Sequence, residues 1–275
     1  MKMKVMQQII KTMASPLAKR FIAGPSLEDA LVKAGQLNSQ GLGVILNFLA
    51  EDTRTMTQVH ENLNGYSSII NGLAKRPAGN AVSIKPSALG LLIEPGIYWN
   101  CLNTLAMNPG LGQMELHIDA EELADLPAEF SMTIRLKKEY PALKIRQALP
   151  GNYPGCLEAL KALTRAGVGI RLIKGAYASS LSQKKAMQNI LLCIRYTRES
   201  DPGLDIHLGT HDERLLRTVG QAVKGYEFLL GLKRHLWTTL KSKGNRVMIY
   251  VPYGRAWEGY AKRRWIYVLK RVLGF

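Results

Sequence analysis

Eight short apolar or alternating runs recur along the chain, and their regular spacing constrains the fold more than any other feature. They are Gly41–Phe48, Ala81–Leu89, Gln113–Asp119, Leu143–Leu149, Gly169–Tyr177, Leu204–Thr210, Tyr226–Leu230 and Arg246–Tyr253. Runs of this length, rich in branched and aromatic residues and bounded by polar or glycine-containing segments, are strand patterns. The stretches between them, about 15 to 30 residues long, mostly carry apolar residues at helical spacing; Ala120–Tyr140, Pro154–Ala166 and Ser180–Arg198 are examples. Two more helical segments, Lys4–Arg20 and Ser26–Leu37, precede the first strand. Strand–helix alternation predicts a parallel sheet with helices outside it. Eight such units in about 235 residues match a closed (βα)8 barrel, which typically takes about 250. An open doubly wound sheet is the alternative, but no Gly-rich dinucleotide turn follows the first strand. With no linker and no internal repeat, the expectation is an α/β, TIM-like barrel over 41–275, with a helical segment, 1–40, packed on it.

Composition narrows the class further. At 47% hydrophobic and 21% charged, the 275 residues have the profile of a folded chain and not of a disordered one. Cys101, Cys156 and Cys193 are odd in number and lack metal-ligand spacing, which argues against a disulfide framework and for a reducing compartment. No uncharged apolar stretch reaches the roughly 18 residues of a spanning helix. The start, Met1–Gly24, has no long apolar block and no small-residue cleavage pattern. A cytoplasmic protein is expected, with no metal. Charge is lopsided: 37 Lys+Arg stand against 21 Asp+Glu, for a net +16. From Lys224 onward there are twelve Lys/Arg and two acids, Glu227 and Glu258, so +10 of the surplus lies there. Such an end suits nucleic acid, an anionic membrane surface or an anionic ligand, and composition does not choose among them.

In a barrel of this kind, function sits where strands end and loops begin. The third run ends in His117-Ile118-Asp119, the fourth carries Arg146-Gln147, and the fifth includes Arg171 and Lys174-Gly175-Ala176-Tyr177. The sixth finishes Gly209-Thr210-His211-Asp212, and the eighth runs Tyr250-Val251-Pro252-Tyr253-Gly254. Polar groups inside an eight-stranded barrel must be satisfied by each other, by water or by a ligand. So many on consecutive strand ends favour a ligand.

The motifs RLIKGAY (Arg171–Tyr177), GTHD (Gly209–Asp212) and YVPYGxxWxxYxxRR (Tyr250–Arg264) resemble those of the proline dehydrogenase family, in its bacterial single-function form. NFLAED (Asn47–Asp52), SIKPSALG (Ser83–Gly90), IDAEE (Ile118–Glu122) and RQAL (Arg146–Leu149) follow in the order and near the spacing that family shows. The resemblance runs from about Phe21 to Val268. It implies a distorted (βα)8 barrel holding FAD, which oxidises L-proline to Δ1-pyrroline-5-carboxylate and passes the electrons to a membrane quinone.

The last segment, Arg255–Val272, has helical periodicity, with Tyr260, Arg263, Arg264 and Tyr267 on an arc beside an apolar stripe. Two guanidinium groups there form either a clamp for a carboxylate or a solvated basic face. The resemblance assigns Arg263 and Arg264, with Lys85, to the substrate carboxylate, and Tyr250, Tyr260 and Leu229 to the walls around the ring. It places Arg171 at the flavin edge and Asp119 beside the substrate as the two catalytic residues. It makes Ala120, Gln147, Lys174, Gly175, Ala176, Thr210 and His211 the FAD contacts, and Glu51 a gate paired with a helix arginine.

The sequence departs from the family pattern at five places. Tyr267 stands where a glutamate is usual, Pro86 where an aliphatic residue is, and Ala50 where a glycine is. The Glu-Phe-Gln of the seventh strand falls on Gly225-Tyr226-Glu227, and Ala178-Ser179-Ser180 follows the fifth motif without its glutamate. A related cyclic imino acid such as a hydroxyproline therefore stays open beside L-proline, as does a flavin barrel without turnover. A nucleic-acid-binding protein would use the basic end as a phosphate track but would not need Asp119, Tyr250 or the strand-end pattern; no nucleic-acid partner is expected. The remaining tail cations, Lys262, Lys270 and Arg271 beside Trp265 and Tyr267, suit peripheral contact with an anionic membrane.

Overall fold

The computed structural model describes residues 20–50, 52–76, 79–175, 177 and 179–254. Its eight parallel strands close in strict chain order: β1 (Gly43–Phe48), β2 (Ala81–Ile84), β3 (Glu115–Ile118), β4 (Lys144–Pro150), β5 (Gly169–Ile173), β6 (Ile206–Gly209), β7 (Gly225–Leu229) and β8 (Arg246–Tyr253). β8 returns to pair with β1, from Gly43 beside Met248 to Phe48 beside Tyr253. Every expected strand is present, within a few residues of its expected bounds. The second is the exception in length, because the Pro86 ring has no N–H for the ladder. The chain leaves the sheet after Ile84 and makes a 3₁₀ turn, Pro86–Leu89, closed by Gly90 in the left-handed region (φ 92°). Lys85 is thereby set at the mouth of the strand.

Eight α-helices alternate with the strands among the described residues: α1 (Leu27–Asn38), α2 (Met56–Leu73), α3 (Pro95–Ala106), α4 (Leu126–Glu139), α5 (Cys156–Arg165), α6 (Gln183–Ser200), α7 (Glu213–Val219) and α8 (Arg234–Ser242). α1 precedes the first strand and starts at a reciprocal cap. Ser26 accepts from the Asp29 amide while the Asp29 carboxylate accepts from the Ser26 amide. It buries Ala30, Ala34 and Leu37 against β1 and β8. The expected Lys4–Arg20 helix lies outside the described residues apart from Arg20.

The barrel has two interiors of opposite character. Outward-facing strand residues such as Val44, Leu46, Val82, Ile84, Leu116, Leu172, Leu208, Phe228 and Ile249 join the helices in one continuous apolar shell. A separate small apolar group, Ile45, Ala81, Met248 and Tyr250, with Leu229 against it, lies in the lumen. The rest of the buried polar set includes Glu115, His117, Asp119, Arg146, Arg171, His207 and Glu227. Period-two alternation explains the split: neighbouring residues on each strand face opposite ways.

Buried acids also occur outside the lumen. Glu129 on α4 is fully buried, and neither carboxyl oxygen has a hydrogen-bond partner among the described residues. Burial, reinforced by Glu121 and Asp125, pushes its carboxyl well above the usual range. An acid with a raised folded-state pKa penalises the fold only above its unfolded value of about 4.3, and increasingly so as pH rises toward the folded value. Glu129→Gln is therefore expected to raise Tm at pH 8 and leave it unchanged at pH 4. For a chain of this size each 1 kcal/mol recovered corresponds to about 2–4 °C. Thermal denaturation at the two pH values checks this, and an equal shift at both would refute the assignment.

Candidate active site

The C-terminal end of the lumen is organised around one carboxylate. Asp119 follows β3 directly, and its backbone N–H is held by the carbonyl of Ile84. Its Oδ1 accepts from Arg171 Nη2 at 2.5 Å and from Ser83 Oγ at 2.7 Å. Its Oδ2 accepts from Tyr250 OH at 2.6 Å and faces Lys85 Nζ at 3.2 Å. β2, β3, β5 and β8 thus converge on a single group. Burial alone would raise the Asp119 carboxyl, but Lys85 and Arg171, helped by Tyr250 and Ser83, hold it well below the usual carboxylate range. It is an ionised hub with its lone pairs in use, poorly suited to act as a base. Burial and the adjacent Asp119 carboxylate push the Tyr250 hydroxyl well above 10, so it stays protonated and donates.

Beneath the hub a column of charge runs to the opposite mouth of the barrel. Arg171 Nη1 reaches Glu227 Oε2 at 3.4 Å, and Glu227 Oε1 meets His207 Nδ1 at 2.8 Å. His117 Nε2 contacts Glu115 Oε2 at 3.0 Å; Arg146 donates to that same oxygen and, through Nη2, to Asp205 at 2.7 Å. Arg246 completes the set against Glu115 Oε1. Burial, then Arg146, lowers the His207 pKa, so its ring is neutral. Its Nε2 has no hydrogen-bond partner among the described residues, while Nδ1 lies 2.8 Å from the Glu227 carboxylate, which assigns the proton to Nδ1.

At the rim, Lys174 Nζ pairs with Asp212 Oδ2 at 2.6 Å, both half-buried. Asp212 Oδ1 caps α7 through the Arg214 and Leu215 amides, and the Asp212 amide donates to Thr210 Oγ1. His211 Nε2 accepts from the Leu229 amide at 3.1 Å. Gly175 lies at φ 99°, and a Cβ there would fall 1.8 Å from Asn152 Oδ1; the turn itself demands the glycine.

Of the residues expected from the sequence, the structure brings Lys85, Asp119, Arg171, Tyr250 and Leu229 together in the lumen, and Ala120 follows Asp119 directly. Lys174, Gly175, Thr210 and His211 lie on the adjoining loops. Gln147 is a correction. Arg146 and Ala148 share register with His117 and Arg171, so Gln147 between them faces outward. Its amide is engaged by Thr133 of α4 at 2.6 Å and does not face the lumen. Glu51, Ala176, Tyr260, Arg263 and Arg264 lie outside the described residues, as does Tyr267. Ser83, Glu227 and His207 were not anticipated. The strand reads Glu227-Phe228-Leu229, so the acid and aromatic of the seventh-strand motif are present two positions later than expected, and Leu229 replaces its third residue.

The sequence model of the family described as proline dehydrogenase matches residues 30–199, more than half of the chain. Proline dehydrogenase 1 of Bacillus subtilis (strain 168) is 22% identical over 268 residues, covering 90% of this chain and 85% of that protein. Proline dehydrogenase of Deinococcus radiodurans is 24% identical over 277 residues, covering 94% and 88%. Among solved structures, proline utilization A from Bdellovibrio bacteriovorus superposes with a TM-score of 0.83 at 19% identity. That match covers 94% of this chain but 33% of the longer protein, and at this identity the likeness is one of fold.

The hub predicts a graded response to substitution. Tyr250→Phe removes one hydrogen bond to a charged acceptor, at a cost of about 1.5–3 kcal/mol, and keeps the ring in place. Asp119→Ala leaves two buried cations short of a counter-charge, at a cost of about 3–5 kcal/mol. Urea denaturation followed by circular dichroism measures both; an Asp119→Ala protein as stable as Tyr250→Phe would contradict the arrangement.

Proposed function

The chain belongs to the proline dehydrogenase family, and from that premise we propose that it oxidises L-proline to Δ1-pyrroline-5-carboxylate, with FAD as cofactor and a quinone as final acceptor. The observation that carries this reading is the pair of buried cations, Lys85 and Arg171, locked on Asp119 at the functional end of a closed barrel. The site also fits an anionic cofactor with hydrogen-bonding edges. Arg171 Nε is a buried donor with no acceptor among the described residues, and Lys174 and Thr210 stand at the adjoining rim.

FAD, when bound, would supply the hydride acceptor for this oxidation. The chain's own residues do the rest. Lys85 offers its ammonium group to the substrate carboxylate, joined on the family pattern by Arg263 and Arg264. Tyr250 and Leu229 wall the ring and keep water from the reacting carbon, with Tyr260 assigned to the same wall by resemblance. Arg171 supplies a fixed positive charge where negative charge builds up. Asp119 sets the direction of Arg171, Lys85 and Tyr250. Because Asp119 is ionised and its lone pairs are in use, the amine proton passes to solvent before the hydride leaves. Ala120, Thr210 and His211 complete the cofactor's surroundings, and the family pattern assigns the gate to Glu51.

The visible spectrum of the purified protein, before and after anaerobic L-proline, tests this. Flavin bands that bleach with proline are expected. Absence of bands overturns the cofactor assignment; bands that bleach only with a hydroxyproline overturn the substrate; bands that bleach with neither overturn the activity.

A quinone acceptor places the working enzyme at a lipid surface. No described helix is long and apolar enough to cross a membrane. We assign attachment to the exposed Arg234, Lys241 and Lys243 around α8, together with the cations that the sequence supplies at Lys262, Lys270 and Arg271. Co-sedimentation with phosphatidylserine-containing vesicles should be strong at low salt and fall steeply as ionic strength rises. No binding at low salt would refute the attachment.

A further inference from the structure

We propose that Glu227 is a positioning residue of this site: it holds the Arg171 guanidinium from below, so that Nη2 stays on Asp119 and Nε stays turned to the cofactor. The inference rests on the flavin reading above and extends it to a residue that the family motifs left on an apparent departure.

Two carboxylates grip one guanidinium from different strands, Asp119 through Nη2 at 2.5 Å and Glu227 through Nη1 at 3.4 Å. A planar fork held at both terminal nitrogens cannot swing about its own stem, which fixes where Nε points. Glu227 is itself held. Its Oε1 accepts from His207 Nδ1 at 2.8 Å, while His117 Nδ1 and Arg146 Nε face it from β3 and β4 at 3.8 and 3.9 Å. The His207 ring in turn lies on Gly225, where a Cβ would come within 2.6 Å of Nε2. A glycine at 225 thus has a purpose: the missing side chain makes room for the histidine that anchors the acid two residues on.

The charges reinforce the geometry. Lys85 and Arg171 balance Asp119 and Glu227, so the group beneath the cofactor is neutral as a set. Burial opposes ionisation of Glu227, but His117, the His207 hydrogen bond and Arg171 hold it well below the usual range. Removing that one negative charge leaves the set with an uncompensated positive charge, which favours the reduced, anionic form of a flavin above it. β7 also carries Leu229, whose amide binds His211 and whose side chain packs with Tyr250. A single strand therefore reaches the site at three points.

The test compares Glu227→Gln and Glu227→Asp with wild type in the flavin-loaded enzyme. Glu227→Gln retains an oxygen for His207 but not the charge. It is expected to keep normal flavin content, lower kcat about tenfold with KM for proline within about twofold, and move the midpoint potential of the bound flavin to a more positive value. Glu227→Asp keeps the charge and should return the potential toward wild type. A merely structural glutamate would lower Tm in both variants without moving the potential. Glu227→Gln with wild-type potential and kcat overturns the proposal, as does failure of both variants to fold. Wild-type protein devoid of flavin would overturn the cofactor reading and this inference with it, whereas a normally loaded wild type with unmoved variants overturns only the role of Glu227.

Discussion

A guanidinium sealed inside a protein must keep its counter-charges, and that requirement on Arg171 organises the lumen. An unpaired charge there would cost several kcal/mol, so each partner has to be in place whenever the barrel is folded. Asp119 and Glu227 meet the requirement from two sides. Each acid then recruits its own donors: Ser83, Tyr250 and Lys85 for one, His207 for the other. The contacts continue through His117, Glu115 and Arg146 until they reach Asp205 and Arg246, which are partly open to solvent. Barrel interiors of this size are commonly packed with branched apolar residues; here much of that volume is given to ionic contacts.

This arrangement is affordable because the apolar shell lies elsewhere. Outward-facing strand residues and the inner faces of the helices form one continuous core, separate from the small apolar group in the lumen. Cohesion and chemistry are thereby assigned to opposite faces of the same eight strands. The stability cost of a polar lumen is met by a surface the substrate never touches.

That division also explains what was legible in the sequence. The outward residues make the strand signal, and all eight strands appear where alternating or apolar runs predict them. Motifs at the strand exits likewise point to Lys85, Asp119, Arg171 and Tyr250, which the structure gathers in one place. The buried column was not legible, because it consists of contacts across the barrel. Glu115 and Arg246 touch although 131 positions separate them, and no local pattern announces such a pair. Glu227 is likewise explained only by contacts across the barrel, with His207 and Arg171 on either side of it. Gln147, which the resemblance makes a cofactor contact, lies one residue out of phase with Arg146 and Ala148, and that change of parity turns its side chain from lumen to shell. Pro86, a departure from the family pattern, ends the strand and places Lys85 at its mouth.

The closure of the barrel between its first and last strands has a consequence for how the protein comes into being. During synthesis β1 emerges early, but its second neighbour, β8, is made only at Arg246–Tyr253. Until then β1 and the newest strand both present open edges, the kind of surface that pairs with other chains. Tyr250, which completes the hydrogen bonding of Asp119, arrives on that same last strand. A nascent chain therefore carries Arg171 and Asp119 before the ring that shelters them exists. Protection from aggregation and assembly of the chemistry become a single late event, and a ribosome that stalls within the final turn of the barrel would release a chain possessing neither.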